Sequence, residues 1–271
     1  MHSAARGTAP APLAILPAAV RMRVRFVLTD IDDTLTTAGA LTAAAYSALE
    51  RLSRAGLHVI PVTGRPAGWC DMIARFWPVD AVVGENGAFY FRYDRVRRAM
   101  TRRFWLADKE RAAAREHLDR LAAQILAAVP GAAIAADQPY RVADLAIDYC
   151  EDCGPLPPQA VARIVELMQE AGAQAKVSSI HINGWFGDWD KLAMTQRLFG
   201  EAYGLDLAAR NEPVAFIGDS PNDELMFGCF RESVAVANIR PFLTQLRHRP
   251  AYIANGEAGT GFVEFAGMLL P

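Results

Sequence analysis

The sequence predicts an α/β protein: a doubly wound, Rossmann-like parallel sheet with an inserted α+β module. Three observations carry this expectation. Strand-like and helix-like segments alternate between residues 24 and 83. The alternation breaks between residues 88 and 183, where hairpin-like segments and two helix patterns follow one another. It resumes after Asp190. Strand, helix and strand in succession imply right-handed crossovers and parallel pairing.

Each element has its own signal. Residues 1–21 are rich in Ala and Pro and hold no acidic residue. The apolar stretch 13–20 is broken by Pro17, and basic residues follow it, which does not fit a signal peptide. Residues 1–22 are therefore expected to be a disordered leader, with Met1 or Met22 as the start. Residues 24–29 are apolar and β-branched and end in acidic residues. Residues 42–55 are a helix, with Tyr46, Leu49 and Leu52 at helical spacing and Gly56 as the stop. Residues 57–62 form the next strand, where Pro61 is tolerable only near the end. A helix at 66–76 and a short strand at 81–83 complete the first half.

The insertion is expected at residues 89–185, leaving 23–88 and 186–271 as the α/β core. It begins with a hairpin, 88–93 and 99–105, around charged residues. A long helix at 109–129, strands at 132–136 and 145–149, a Pro-rich turn, a helix at 159–171 and strands at 174–178 and 180–183 follow. The core then returns with a helix at 191–203, strands at 214–217 and 233–236, a helix at 223–229, and a last strand and helix.

Composition narrows the function. A chain of 271 residues with 52% hydrophobic and 21% charged residues can bury a sizeable core. Lys+Arg of 28 against Asp+Glu of 30 gives a net charge of -2, without the basic excess of a nucleic-acid binder. No uninterrupted apolar run reaches the roughly 18 residues of a membrane span. Four cysteines do not make a disulfide framework, and Cys150 and Cys153 lack the second pair that a zinc site needs. They read as incidental thiols in a turn, and a cytoplasmic protein is expected. Lysine occurs only at Lys109, Lys176 and Lys191, so a lysine at a special place stands out.

The chemistry gathers at strand ends. Asp30, Asp32 and Asp33 follow the first strand, and like charges this close repel unless something binds them. A divalent cation is the simplest partner, since Mg²⁺ takes oxygen ligands from carboxylates and phosphates. The second strand ends in Thr63-Gly64-Arg65 and a later one in Gly218-Asp219-Ser220-Pro221-Asn222-Asp223, with Lys191 opening the helix before it. Open parallel sheets bind ligands at these carboxyl ends.

Together these stretches resemble the haloacid dehalogenase superfamily, and within it the phosphatases with a class II cap of the Cof-like or sucrose-phosphatase-like type. The first motif, D-x-D-x-T, is matched by Asp30, Asp32 and Thr34; Asp33 stands where Gly is more usual. Thr63, Lys191 and the G-D-x-x-N-D of Gly218, Asp219, Asn222 and Asp223 match the other three. Asn86-Gly87 is also similar. The resemblance implies that Asp30 is the nucleophile and Asp32 the general acid and base. It implies that Lys191, Thr63, Gly64 and Asn222 bind phosphate, and that Asp30, the Asp32 carbonyl, Asp219 and Asp223 serve Mg²⁺. A carboxylate approaching a phosphate dianion is repelled by about 4 kcal/mol per charge pair at 4 Å and an effective dielectric near 20, so neutralisation dominates the catalysis.

The cap would select the leaving group. Arg65, Glu85, Asn86, His181, Asn183, Trp185 and Asp188 are the specificity candidates, because aromatic faces with a few polar groups suit a sugar. Asp33 is expected to be structural. The expected function is a Mg²⁺-dependent phosphomonoester hydrolase for a small phosphorylated metabolite, most of all a sugar phosphate, working as a monomer or homodimer without nucleic acid or membrane. The alternatives are a phosphomutase of the same superfamily and a non-catalytic binding protein that keeps the fold.

Overall fold

A computed structural model describes residues 9–178 and 180–270. Its main sheet is parallel throughout. The strands are β1 (Ala11–Pro12), β2 (Phe26–Thr29), β3 (His58–Pro61), β11 (Val214–Gly218), β12 (Glu232–Ala235) and β13 (Tyr252–Ile253), in the order β1-β13-β12-β11-β2-β3. Helices α2 (Ala43–Arg54), α3 (Ala67–Phe76), α6 (Lys191–Tyr203), α7 (Glu224–Cys229) and α8 (Ala258–Leu269) supply the connections. One apolar cluster joins Val27, Leu49, Ile217 and Phe262; the other joins Leu28, Ile60, Leu198 and Phe216. Alternate residues of a strand face opposite sides, so adjacent Val27 and Leu28 serve different clusters. Pro61 is the last residue of β3, where its missing donor does least harm.

Two expectations change. From residue 9 onward the expected leader belongs to the fold: β1 pairs with β13, Leu13 and Leu16 are buried, and α1 spans Ala18–Arg23. Leu13 and Leu16, just after Pro12, join the core cluster of the main sheet, a reason for order that composition hides. Residues 1–8 lie outside the described residues. Second, the hairpin of β5 (Phe89–Asp94) and β6 (Ala99–Phe104) extends the core instead of the insertion. Strand β4 (Val82–Gly84) joins β3 through a parallel bridge from Val62 to Val83 and pairs with β5 on its other side.

The remaining insertion has its own sheet and core. Strands β7 (Ala133–Ile134), β8 (Leu145–Asp148), β9 (Gln174–Val177) and β10 (His181–Trp185) form an antiparallel sheet in the order β7-β8-β10-β9. Helices α4 (Asp108–Ala128) and α5 (Pro158–Glu170) cover one face and bury Leu118, Ile125, Ile164 and Met168 against Ile147 and Ile182. His181 and Asn183 alternate with Ile182, so they point away from those helices.

Candidate active site

The adjacency of β3, β2 and β11 sets the carboxyl ends of three strands side by side. Asp30 follows β2, and its N–H donates to the Ile217 carbonyl of β11 at 3.0 Å. Asp219 follows Gly218, and its Oδ1 accepts from the Thr34 hydroxyl at 3.3 Å. Asp33 takes φ +54°, a left-handed conformation that glycine adopts freely and Asp tolerates. Its carbonyl accepts from Asn238 at 3.0 Å, so its role is in the turn.

Lys191 is the first residue of α6, whose N-cap is Asp190, with Oδ1 accepting from the Ala193 N–H at 2.7 Å. The cap fixes the helix start, and the ammonium reaches Asp30 and Asp223, each at 2.8 Å. Asp223 packs so closely behind β11 that a Cβ on Gly218 would fall 2.4 Å from its Oδ2. That oxygen accepts from the Asp219 N–H at 3.1 Å. Carboxylate oxygens of Asp30, Asp219 and Asp223 lie within 4.8 Å of one another, all buried. Burial pushes Asp30 up to about 7, with Asp223 and Asp32 adding to the rise and Lys191 opposing it. Burial raises Asp219 too, reinforced by Asp223 and Asp30. Buried, mutually repelling oxygen donors fit a hard cation such as Mg²⁺.

After β3 the chain turns through Thr63, Gly64 and Arg65. Thr63 Oγ1 accepts from the Arg65 N–H at 3.1 Å. The facing turn after β4 holds Glu85, Asn86 and Gly87, all at positive φ. The Glu85 and Asn86 N–H groups donate to the carbonyls of Arg65 and Thr63 at 3.1 Å each, which binds the two turns together. Gly87 is required, because a Cβ there would fall 2.0 Å from the Asp190 carbonyl oxygen. Asn222 donates to Asn86 Oδ1 at 3.2 Å.

The insertion roofs this floor. A cavity of about 20 Å³ remains between them, lined by Asp30, Asp32, Gly64, Lys191, Asp219 and Asn222 below and by Arg141, Ser178, His181 and Asn183 above, with Arg65 at the junction. Arg65 Nε donates to both Asp32 oxygens at 3.0 Å, and Nη2 to Oδ1 at 2.8 Å. The same guanidinium donates to Glu151 Oε1 at 3.2 Å and lies over the Trp69 ring. Burial disfavours its charge, but Asp32 and Glu151 outweigh that and raise its pKa. Glu151 Oε2 is 2.8 Å from His181 Nε2, the largest cause of its lowered pKa. Arg141 chelates Asp137 at 2.8 Å, reaches Asp144 at 3.1 Å, and donates to the Gly64 carbonyl at 2.9 Å. Asn183 donates to Asp144 at 2.9 Å.

The expected residues therefore divide. Asp30, Asp32, Gly64, Arg65, His181, Asn183, Lys191, Asp219 and Asn222 share the cavity wall. Thr63 and Asp223 are wholly buried and stand behind it, holding the Arg65 amide and Lys191. Asn86 backs Gly64 and Asn222. Three specificity candidates are corrected. Glu85 is wholly buried, and its carboxylate accepts from the N–H groups of Ala67, Val142, Ala143 and Asp144, so it joins insertion to core. Trp185 lies at the end of β10, where it stacks on Trp189 in the core cluster. Asp188 is exposed and accepts from Trp105 Nε1 at 2.9 Å. Sequence reasoning missed Arg141 and Glu151. The signal available for Glu151 was an acidic pair inside the Cys150–Cys153 turn, directly after a strand.

Comparison with known proteins bears on the fold. No protein-family model and no curated protein matches the sequence. Solved structures match along most of the chain. A haloacid dehalogenase-like hydrolase from Bacteroides thetaiotaomicron is 15% identical with a TM-score of 0.63, covering 91% of this chain and 100% of its own. The sucrose-phosphatase from Synechocystis, solved with sucrose and phosphate, is 17% identical with a TM-score of 0.61, covering 90% and 97%. The trehalose-6-phosphate phosphatase of Aspergillus fumigatus is 17% identical with a TM-score of 0.56, covering 96% and 99%. The chain shares the fold of these three structures.

Proposed function

We propose that the protein is a Mg²⁺-dependent phosphomonoester hydrolase that acts on a small phosphorylated metabolite, of the sugar-phosphate class, through an aspartyl-phosphate on Asp30. The carrying observation is the Lys191 ammonium at 2.8 Å from Asp30, at a cavity whose wall also holds Asp32 and Asp219. The fold shared with sucrose- and trehalose-6-phosphate phosphatases supports the substrate class. Among the described residues no helix is long and apolar enough to cross a membrane.

Asp30, the backbone carbonyl of Asp32 and Asp219 would hold the cation, which when bound supplies positive charge against the phosphoryl oxygens. Lys191 adds charge at the Asp30 oxygen, and Asp223 keeps Lys191 in place. A carboxylate oxygen of Asp30 bonds to phosphorus as the ester oxygen leaves, and Asp32 gives that oxygen its proton. Asp32 then takes a proton from water, whose oxygen bonds to phosphorus. The Asp30–phosphorus bond breaks, and inorganic phosphate is released. The Gly64 N–H and Asn222, on the cavity wall, would bind the phosphoryl oxygens.

The test is phosphate release from p-nitrophenyl phosphate with and without Mg²⁺. Asp30→Asn is expected to remove at least roughly 10³-fold of the turnover while far-UV circular dichroism stays unchanged. Wild-type-like turnover in that variant would take the nucleophile role from Asp30.

A further inference from the structure

The walls of the cavity are matched in a way that bears on the leaving group. Each cation there is held by at least two carboxylates: Lys191 by Asp30 and Asp223, Arg65 by Asp32 and Glu151 with Asp137 at 3.8 Å, Arg141 by Asp137 and Asp144. Asp219 adds a further carboxylate. Bound Mg²⁺ and a phosphoryl dianion would cancel each other and leave this negative excess in place. Among the described residues, no lysine or arginine on the cavity wall lacks two such partners.

We infer that the substrate's leaving group carries hydroxyls and no second anion, and that Glu151 is the residue that reads it. This rests on the phosphomonoesterase reading above. Glu151 stands next to the cavity rather than on its wall, bridging Arg65 and His181, both of which line it. Its side chain is 30% exposed, whereas those of Arg65 and His181 are 5% and 3% exposed, so it is the open member of the group. A hydroxyl can donate to a Glu151 oxygen without displacing any cation. A carboxylate or second phosphate would face Glu151 directly, and could gain a cation only by taking Arg65 or Arg141 from its carboxylates and leaving these buried and unpaired. Specificity then comes from repulsion as much as from attraction. The same excess disfavours the sugar bisphosphate that a phosphomutase must accommodate.

The test compares glucose 6-phosphate, 6-phosphogluconate and fructose 1,6-bisphosphate with p-nitrophenyl phosphate on the full chain with Mg²⁺. The inference expects kcat/KM for the two anionic esters to fall at least roughly tenfold below that of the hexose monophosphate. In Glu151→Gln, that ratio should shrink by several-fold, read as a ratio between esters on the same variant. Calorimetric binding to Asp30→Asn should show the same order of affinity, independently of turnover. If the aryl phosphate is hydrolysed and the bisphosphate or 6-phosphogluconate matches the hexose monophosphate, the inference is overturned and the phosphatase reading stands. An unchanged ratio in Glu151→Gln takes the selective role from Glu151. No turnover of any ester removes both readings.

Discussion

Arg65 grips both carboxylate oxygens of Asp32 while one oxygen of Glu151 shares the same guanidinium. The group proposed as acid and base is thus aligned by a residue that also touches the roof. A lysine has one compact charge and cannot span both carboxylates. Arg65→Lys is expected to lower kcat/KM, which reports the steps up to departure of the leaving group, on alkyl phosphates by about tenfold and on p-nitrophenyl phosphate by less, because an aryl leaving group needs little protonation. Steady-state kinetics on the two ester types decide it; equal losses would detach Arg65 from the positioning of Asp32.

The buried acids make stability depend on pH in a stated direction. Burial raises Asp30 from 3.8 to about 7 and lifts Asp219 as well. Within that window the folded chain holds protons that the unfolded chain has released, so stability falls as pH rises. A cation replacing those protons should restore it most above the window. Melting with EDTA or Mg²⁺ at about pH 5.5 and about pH 8 should give the larger Mg²⁺-dependent gain in Tm at the higher pH. An equal gain at both would contradict the cluster as the cation site.

Glu85 is expected to be a stability residue. Burial pushes it up to about 8, with Asp144 adding to the rise, while Arg141 and the amides of Val142 and Ala143 hold it down. Glu85→Gln turns an NH₂ toward backbone donors, and each buried donor left without an acceptor costs about 1–3 kcal/mol. Denaturant unfolding should register at least about that loss. A loss below roughly 0.5 kcal/mol, within the range of ordinary surface changes, would mean the joint does not depend on this carboxylate.

Leu13 tests the part of the chain that composition disguised. It is wholly buried, one residue after a strand of only two residues. Leu13→Ala is expected to destabilise by about 2–5 kcal/mol, as for other core truncations. Unfolding midpoints near the wild-type value would place Leu13 outside the cooperative core.

Much of the floor was legible because each motif lies just past the end of a parallel strand or at a helix start, so local pattern alone places Asp30, Lys191 and Asp219 at one rim. The roof was less so. Arg141 reaches the cavity, and Glu151 reaches its lining residues Arg65 and His181, through the antiparallel pairing of residues 145–148 with 181–184 and through the way this sheet rests on the core. Neither is a local property. Trp185 shows the same limit from the other side: its parity on β10 agrees with His181 and Asn183, yet its position at the strand end carries it over Trp189 and beyond the cavity. The hairpin 89–104 was recognisable as strands, but its partner across the bridge from Val62 was not.

A cavity of about 20 Å³ accommodates about one water molecule. Under the proposed function, a phosphate ester larger than a water molecule would need roof and floor to part on entry, and its products would need the same on leaving. If that parting sets the pace of turnover, the drag of the solvent on the roof becomes a kinetic variable. Adding sucrose as a viscogen should therefore slow kcat on a fast aryl ester, whereas a chemically limited variant such as Asp32→Ala should not respond.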